Sequence, residues 1–262
     1  VSLNLEGSRV LVTGASSGIG AGLAEAFAGA GATVGICARR ADRLEEVAAR
    51  CRAHGHDVHS WVCDLADPAQ VDRLTSDANA AMGGVDVLVN NAGIPKRRHV
   101  TALDQATVEA VTRINYLSPV QLTLALLPQM VERRAGRIVN LSSVAATLSS
   151  PGESAYSASK SALAVFSEAM AVDLWDTGVR VLVVYPGVVD TELFTLPDND
   201  PFTAPVEPIG VDELVAAVLD ALDRDAVEVY VPGYFKDFAT GKANNLEGFL
   251  AGAAEFTRQQ SG

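Results

Sequence analysis

Arg9-Val10-Leu11-Val12-Thr13-Gly14-Ala15-Ser16-Ser17-Gly18-Ile19-Gly20 reads as a short strand, a glycine-rich turn and the opening of a helix. After Arg9, the run Val10-Leu11-Val12-Thr13 is apolar or β-branched, and the five residues together have strand length. Gly14, Gly18 and Gly20 then allow a tight turn whose backbone N–H groups approach a pyrophosphate closely, with Ser16, Ser17 and Ile19 between them. A helix starting there directs its positive end at the same anion. The spacing is G-x-x-x-G-x-G and not G-x-G-x-x-G, so by itself the turn also fits a strand–helix corner that binds nothing.

The pattern repeats along the chain. Further strands are predicted at 33–38, 57–63, 85–89, 136–142, 179–185 and 227–231, and helical periodicity at 21–29, 43–53, 69–81, 103–132 and 155–176. Strands nearly continuous in Val, Ile and Leu are those buried on both faces. The alternation predicts an α/β fold, a doubly wound parallel sheet of seven strands in three layers, with right-handed crossovers. Asp67-Pro68 reads as an N-cap and first helical residue, and Gly29, Gly31, Gly83, Gly84 and Gly178 as helix stops. One domain over 1–262 is expected. Its irregular stretch, 192–210, carries Pro197, Pro201, Pro205 and Pro208 and reads as a surface lid.

The 262 residues include 20 basic and 32 acidic ones, a formal charge of −12. That balance repels phosphate backbones and anionic lipid, so no nucleic-acid or membrane partner is expected. No apolar run reaches the ~18–20 residues of a spanning helix, and the start lacks a signal-peptide profile. A soluble, cytoplasmic protein is expected. Cys37, Cys51 and Cys63 form an odd set with no metal-ligand spacing, and the histidines add none, so no metal is expected.

At the end of the second strand, where an acidic residue would hold the ribose 2′-hydroxyl of NAD, stand Arg39 and Arg40. A guanidinium suits the 2′-phosphate of NADP, which points to NADP(H) over NAD(H), with Arg39 the first candidate. The other reading is a solvated basic pair balanced by Asp42.

Ser143 follows the fifth strand, and thirteen residues on comes Tyr156-Ser157-Ala158-Ser159-Lys160. The i, i+4 spacing puts Tyr156 and Lys160 on one helix face. A lysine beside a phenol is expected to lower its pKa by ~2–3 units, roughly 3–4 kcal/mol, and so make Tyr156 a usable acid/base.

With Asp64-Leu65 after the third strand, Asn90-Asn91-Ala92-Gly93 after the fourth, Asn115, and Pro186-Gly187-Val188-Val189-Asp190-Thr191, the sequence resembles the short-chain dehydrogenase/reductase family over about 5–232. The resemblance implies a Rossmann fold of strand order 3-2-1-4-5-6-7 and hydride exchange between a nicotinamide cofactor and a carbonyl or alcohol. It implies Tyr156 as proton donor or acceptor and Ser143 as stabiliser of the substrate oxygen. Lys160 would tune Tyr156 and bind the nicotinamide ribose, while Asn115 would hold a water leading to solvent. Asp64 and Leu65 would contact adenine, and Asn91, Ala92 and Gly93 would border the cofactor. Pro186, Gly187, Val189 and Thr191 would border the nicotinamide, Val189 and Thr191 orienting its carboxamide.

The substrate-bordering segments hold Ile94, Pro95, Val144, Ala145, Ala146, Thr147, Leu193, Phe194, Leu196 and Phe202, so a hydrophobic ketone or secondary alcohol is expected. Lys96-Arg97-Arg98 would steer an anionic substrate or, more simply, form a solvated patch. The C-terminal extension, 233–262, shows no family pattern but has an apolar stripe of Leu246, Phe249, Leu250, Ala253 and Phe256, which would cover the core or make a subunit contact. The family implies a homodimer or homotetramer. The alternatives are an NAD-dependent alcohol dehydrogenase of the same family and a non-catalytic nucleotide-binding scaffold on the same fold.

Overall fold

The structure, a computed structural model, describes residues 5–202 and 206–260. Pro205 of the expected lid and the ends of the chain, 1–4 and 261–262, lie outside the described residues. Seven strands, β1 (Arg9–Thr13), β2 (Thr33–Ala38), β3 (Val58–Val62), β4 (Val87–Asn90), β5 (Gly136–Leu141), β6 (Val179–Pro186) and β7 (Glu228–Val231), form one parallel sheet. Their order is β3-β2-β1-β4-β5-β6-β7, as the family resemblance implies.

Strand periodicity explains the continuous apolar runs. Val10, Val12, Val34, Ile36, Val139 and Leu141 are buried on one face, against α1 (Gly18–Gly29), α2 (Ala41–Arg52) and α8 (Val211–Asp223). Leu11, Cys37, Leu88, Ile138 and Val181 are buried on the other, against α3 (Pro68–Met82), α5 (Ser118–Arg133) and α7 (Ser154–Asp173). Each such side chain contributes about 1.5–3 kcal/mol when fully buried, so both faces are needed to hold the sheet. Among the described residues the edge strand β3 has no second neighbour, and its Val62 is exposed.

Local signals behave as their chemistry requires. The Asp67 carboxylate accepts from Ala69 N at 2.9 Å to cap α3, Pro68 is in its first turn, and Gly83 ends it at φ +71°. The helix expected over 103–132 is instead interrupted. Asp104 caps α4 (Gln105–Thr112), and a π-helical turn, Arg113–Leu117, precedes α5. Pro119 lacks an N–H, so Asn115, four residues earlier, cannot receive an ordinary helical hydrogen bond on its carbonyl. The extra residue of the π turn carries Asn115 into the interior, where it is fully buried.

Beyond β5 comes a single turn, α6 (Ala145–Leu148), and beyond β7 come α9 (Phe235–Asn244) and α10 (Leu246–Gln260). The α10 stripe does not cover the sheet core. The helix packs against α9 and leaves Leu246, Leu250 and Phe256 exposed. No helix among the described residues is long and apolar enough to cross a membrane.

Candidate active site

The carboxyl ends of β1, β4, β5 and β6 converge on one cleft, where parallel strands of a doubly wound sheet deliver their loops. The glycine turn is knitted to the end of β4. Thr13 Oγ accepts from the main-chain N of Asn91 (3.0 Å) and of Ala92 (3.1 Å), while Asn91 Nδ2 donates to Thr13 O at 2.8 Å. A Cβ at Gly20 would lie 2.5 Å from Asn91 Nδ2 and 2.6 Å from Gly14 O, so only glycine permits this approach. Gly18, at φ +53°, opens α1 beside Thr191, and no side chain caps that helix start. Unbonded N–H groups at a helix start and a backbone stripped of side chains are what a pyrophosphate needs. The cradle fits a dinucleotide.

At the end of β2 the two arginines have different surroundings. Arg40, not Arg39, reaches the turn: its Nη2 donates to Ser17 Oγ (2.7 Å) and Ser16 Oγ (3.1 Å), and its Nη1 to Glu192 at 2.8 Å. Arg39 is exposed and makes no hydrogen bond or ion pair among the described residues. The N-cap position of α2 at residue 40 turns that side chain back toward the turn. Asp64 Oδ1 accepts from Ala66 N (3.0 Å), which fixes the β3 exit, and Leu65 is buried beside it.

The chemical groups sit after β5 and on α7. Tyr156 is hydrogen-bonded to Ser143, whose Oγ also accepts from Ala145 N at 3.1 Å. Lys160 is buried, and its Nζ donates to Leu141 O at 2.6 Å. Asn115 Oδ1 accepts from Ile94 N (2.8 Å) and its Nδ2 donates to Ile94 O (3.0 Å) and Ser159 Oγ (3.1 Å). The missing side chain of Gly93 leaves the space between Asn115 and Lys160, since a Cβ there would be 3.3 Å from each. Beneath them Asn90 donates to Asn140 (2.8 Å), and Asn140 to Ser167 (2.7 Å), tying β4 and β5 to α7.

The electrostatics differ from the expected lysine-assisted phenol. Burial pushes the Tyr156 phenol above its ordinary value, the Glu153 carboxylate pushes it further, and only the Ser143 hydrogen bond and the Arg97 charge oppose them. Lys160 is spent on a main-chain carbonyl, with its ammonium 5.9 Å from the centre of the phenol ring. Burial lowers the Lys160 pKa to about 8. The thiols are inert by the same logic. Cys37 is raised by burial, and Cys51 and Cys63 are both pushed up to about 11.

Lys96-Arg97-Arg98 is not a solvated patch. Arg97 is 4% exposed; its Nη2 donates to Phe194 O (2.9 Å), its Nε to Asp200 O (3.0 Å), and its guanidinium lies 5.5 Å from the Phe194 ring centre. Lys96 and Arg98 pair with Asp198. The basic run is therefore the anchor of the excursion after β6. That excursion begins with the turn Glu192–Phe194, and Phe194 meets Phe202 edge to face at 5.0 Å. Together with Val188, Thr191 and Pro208 they line a cavity of about 380 Å³. Sequence reasoning missed the roles of Thr13 and Arg97, whose side-chain hydrogen-bond partners lie 76 to 103 positions away, and of Glu153, three positions before Tyr156. The extension also touches the site. A Cβ at Gly187 would meet the Phe235 ring at 2.5 Å, and Lys242 Nζ donates to Thr147 O (2.6 Å) and Ser149 Oγ (2.7 Å).

A mostly apolar cleft at the strand ends, a glycine cradle and a Ser-Tyr-Lys set define a dinucleotide-dependent α/β enzyme class. Residues 8–200 match the short chain dehydrogenase family, and the chain belongs to it, a family of nicotinamide-dependent oxidoreductases. Mouse dehydrogenase/reductase SDR family member 7B is 39% identical over 72% of this chain and 60% of its own length. A fatty acyl-CoA reductase of Acinetobacter baylyi is 38% identical over 72% of this chain and 65% of its own. The chain thus spans about three fifths to two thirds of these curated relatives. Among solved structures, a short-chain dehydrogenase of Streptomyces avermitilis is 33% identical with a TM-score of 0.83, covering 97% of this chain and 98% of that one. One from Sphingobium yanoikuyae in complex with NADPH is 33% identical with a TM-score of 0.80, over 91% and 94% of the two chains.

Proposed function

We propose that the chain reversibly reduces hydrophobic ketones to secondary alcohols with NADP(H). The observation that carries the reaction is the meeting of Ser143, Tyr156 and buried Lys160 beside the glycine cradle. Bound along that cradle, with Gly14, Ser16, Ser17, Gly18 and Gly20 at its phosphates and Gly187, Val189 and Thr191 at its far end, the nicotinamide cofactor supplies or accepts the hydride. The chain's own residues manage the proton. The Ser143 hydroxyl and the Tyr156 phenol both donate to a carbonyl oxygen, and Tyr156 passes its proton to that oxygen as it becomes an alkoxide. Its raised pKa suits the donating role, because a neutral phenol is retained at and above neutral pH. Lys160 behind it would return a proton, with Asn115 holding the water that leads to solvent, and Phe194 and Phe202 of the excursion would keep bulk water from the carbonyl.

Arg40 on Ser16 and Ser17 supports the NADP preference, and the NADPH complex of the Sphingobium relative is in keeping with it. The test is titration of the purified protein with NADPH and NADH, followed by turnover of a ketone panel by the wild type and Tyr156→Phe. Tenfold tighter NADPH, about 1.4 kcal/mol, and loss of turnover with cofactor binding kept in Tyr156→Phe are expected. Equal affinities would favour NAD-dependent alcohol oxidation, a second reading that the Glu192 carboxylate on Arg40 favours. Cofactor binding with no turnover by the wild type would leave a nucleotide-binding scaffold.

A further inference from the structure

Arg40, the guanidinium that reaches the glycine turn, is already paired with an anion of the same chain. Glu192, the residue after Thr191 and the first of the excursion, sets its Oε2 2.8 Å from Arg40 Nη1 and its Oε1 4.0 Å from Arg43 Nη1. The remaining Arg40 nitrogens are on Ser16 and Ser17. The Arg40 side chain therefore ties the glycine turn to the root of the excursion, whose Glu192 lies 152 residues beyond Arg40. The contact is directional and has two cationic partners. The Arg40 hydrogen bond holds the Glu192 carboxyl below the ordinary carboxylate range, so it stays charged at neutral pH.

We propose that Glu192 is a specificity-determining residue for the cofactor: an internal carboxylate that stands where a 2′-phosphate would pair with Arg40, so that a cofactor bearing this phosphate binds by displacing it. The inference rests on Arg40 as the 2′-phosphate ligand. A phosphate dianion competes with Glu192 for the same guanidinium, and any carboxylate left beside it repels it. A 2′-hydroxyl needs no such exchange, so Glu192 lowers selectivity for NADP over NAD. Exchange at Arg40 also frees the first residue of the excursion, which couples the phosphate to the segment bearing Phe194 and Phe202.

The experiment is calorimetric titration of the full chain with NADPH, NADH and 2′,5′-ADP, for the wild type, Glu192→Gln and Arg40→Met. Removing the carboxylate is expected to tighten NADPH and 2′,5′-ADP by about fivefold, the scale of one surface ion pair, with NADH moved less than twofold. An unchanged NADPH affinity, or equal tightening of NADPH and NADH, overturns the proposal. Arg40→Met separates the two claims. If it weakens NADPH tenfold while Glu192→Gln does nothing, Arg40 is the phosphate ligand and only the stand-in role fails. If Arg40→Met leaves NADPH unchanged, both fail.

Discussion

Lys160 is held in the fold at a cost that pH should reveal. Burial depresses its pKa from 10.5 to about 8. A cation with a depressed folded pKa is disfavoured by folding wherever both states are protonated. That penalty is fully present below pH 8 and is relieved as pH rises from 8 toward 10.5, because there the unfolded chain binds the proton and the native one does not. Between pH 7 and pH 10 the relief amounts to about 2–3 kcal/mol, or about 5–10 °C in Tm for a chain of this size. Wild-type stability alone is a poor probe, since Cys51 and Cys63, raised to about 11, lose stability above pH 9. Lys160→Met keeps those groups and removes the lysine. The difference in unfolding free energy, wild type minus Lys160→Met, is therefore expected to rise by about 2–3 kcal/mol from pH 7 to pH 10, with the variant inactive throughout. Urea unfolding of both proteins at half-unit pH steps measures it. A flat or falling difference would refute the buried, depressed lysine.

Three further outcomes follow from the same geometry. Glu153→Gln removes the carboxylate that raises Tyr156, so the ascending limb of the alcohol-oxidation pH profile, where Tyr156 must lose its proton to act as acceptor, should move to lower pH; a profile left in place or moved upward would exclude that coupling. Arg97→Met cuts the bonds to Phe194 O and Asp200 O, and should cost about 1–3 kcal/mol while raising KM for bulky ketones. Amide exchange at 194–200 should quicken with it. Gly20→Ala drives a methyl into Asn91 and the Gly14 carbonyl and should weaken NADPH by about tenfold or more, read by titration.

Much of the fold was legible because both faces of the sheet are covered. Runs such as Val10–Val12 and Val181–Val184 have nowhere to lie but between helix layers, and strands were placed within a residue or two. The single helix expected over 103–132 was wrong in its middle. Asn115 and Pro119, four apart, are the sequence trace of the π turn, and helical periodicity alone smooths over one inserted residue. Arg97 was misread because a basic triplet looks solvated until the aromatic rings and carbonyls that bury it arrive from residues 194–202. Arg39 and Arg40 are equivalent in sequence, and only the start of α2 decides which side chain turns back. The spacing of Tyr156 and Lys160 gave a shared helix face, whereas the Leu141 carbonyl that claims the ammonium belongs to another strand.

Phe235 against Gly187 and Lys242 on the Thr147–Ser149 loop come from the stretch beyond the family match, which ends at residue 200. Each wall of the cleft is thereby braced by a segment outside the stretch that matches the family. The tail that holds both walls supplies none of Ser143, Tyr156 and Lys160, so the shape of the cleft and its reactive groups come from separate lengths of chain.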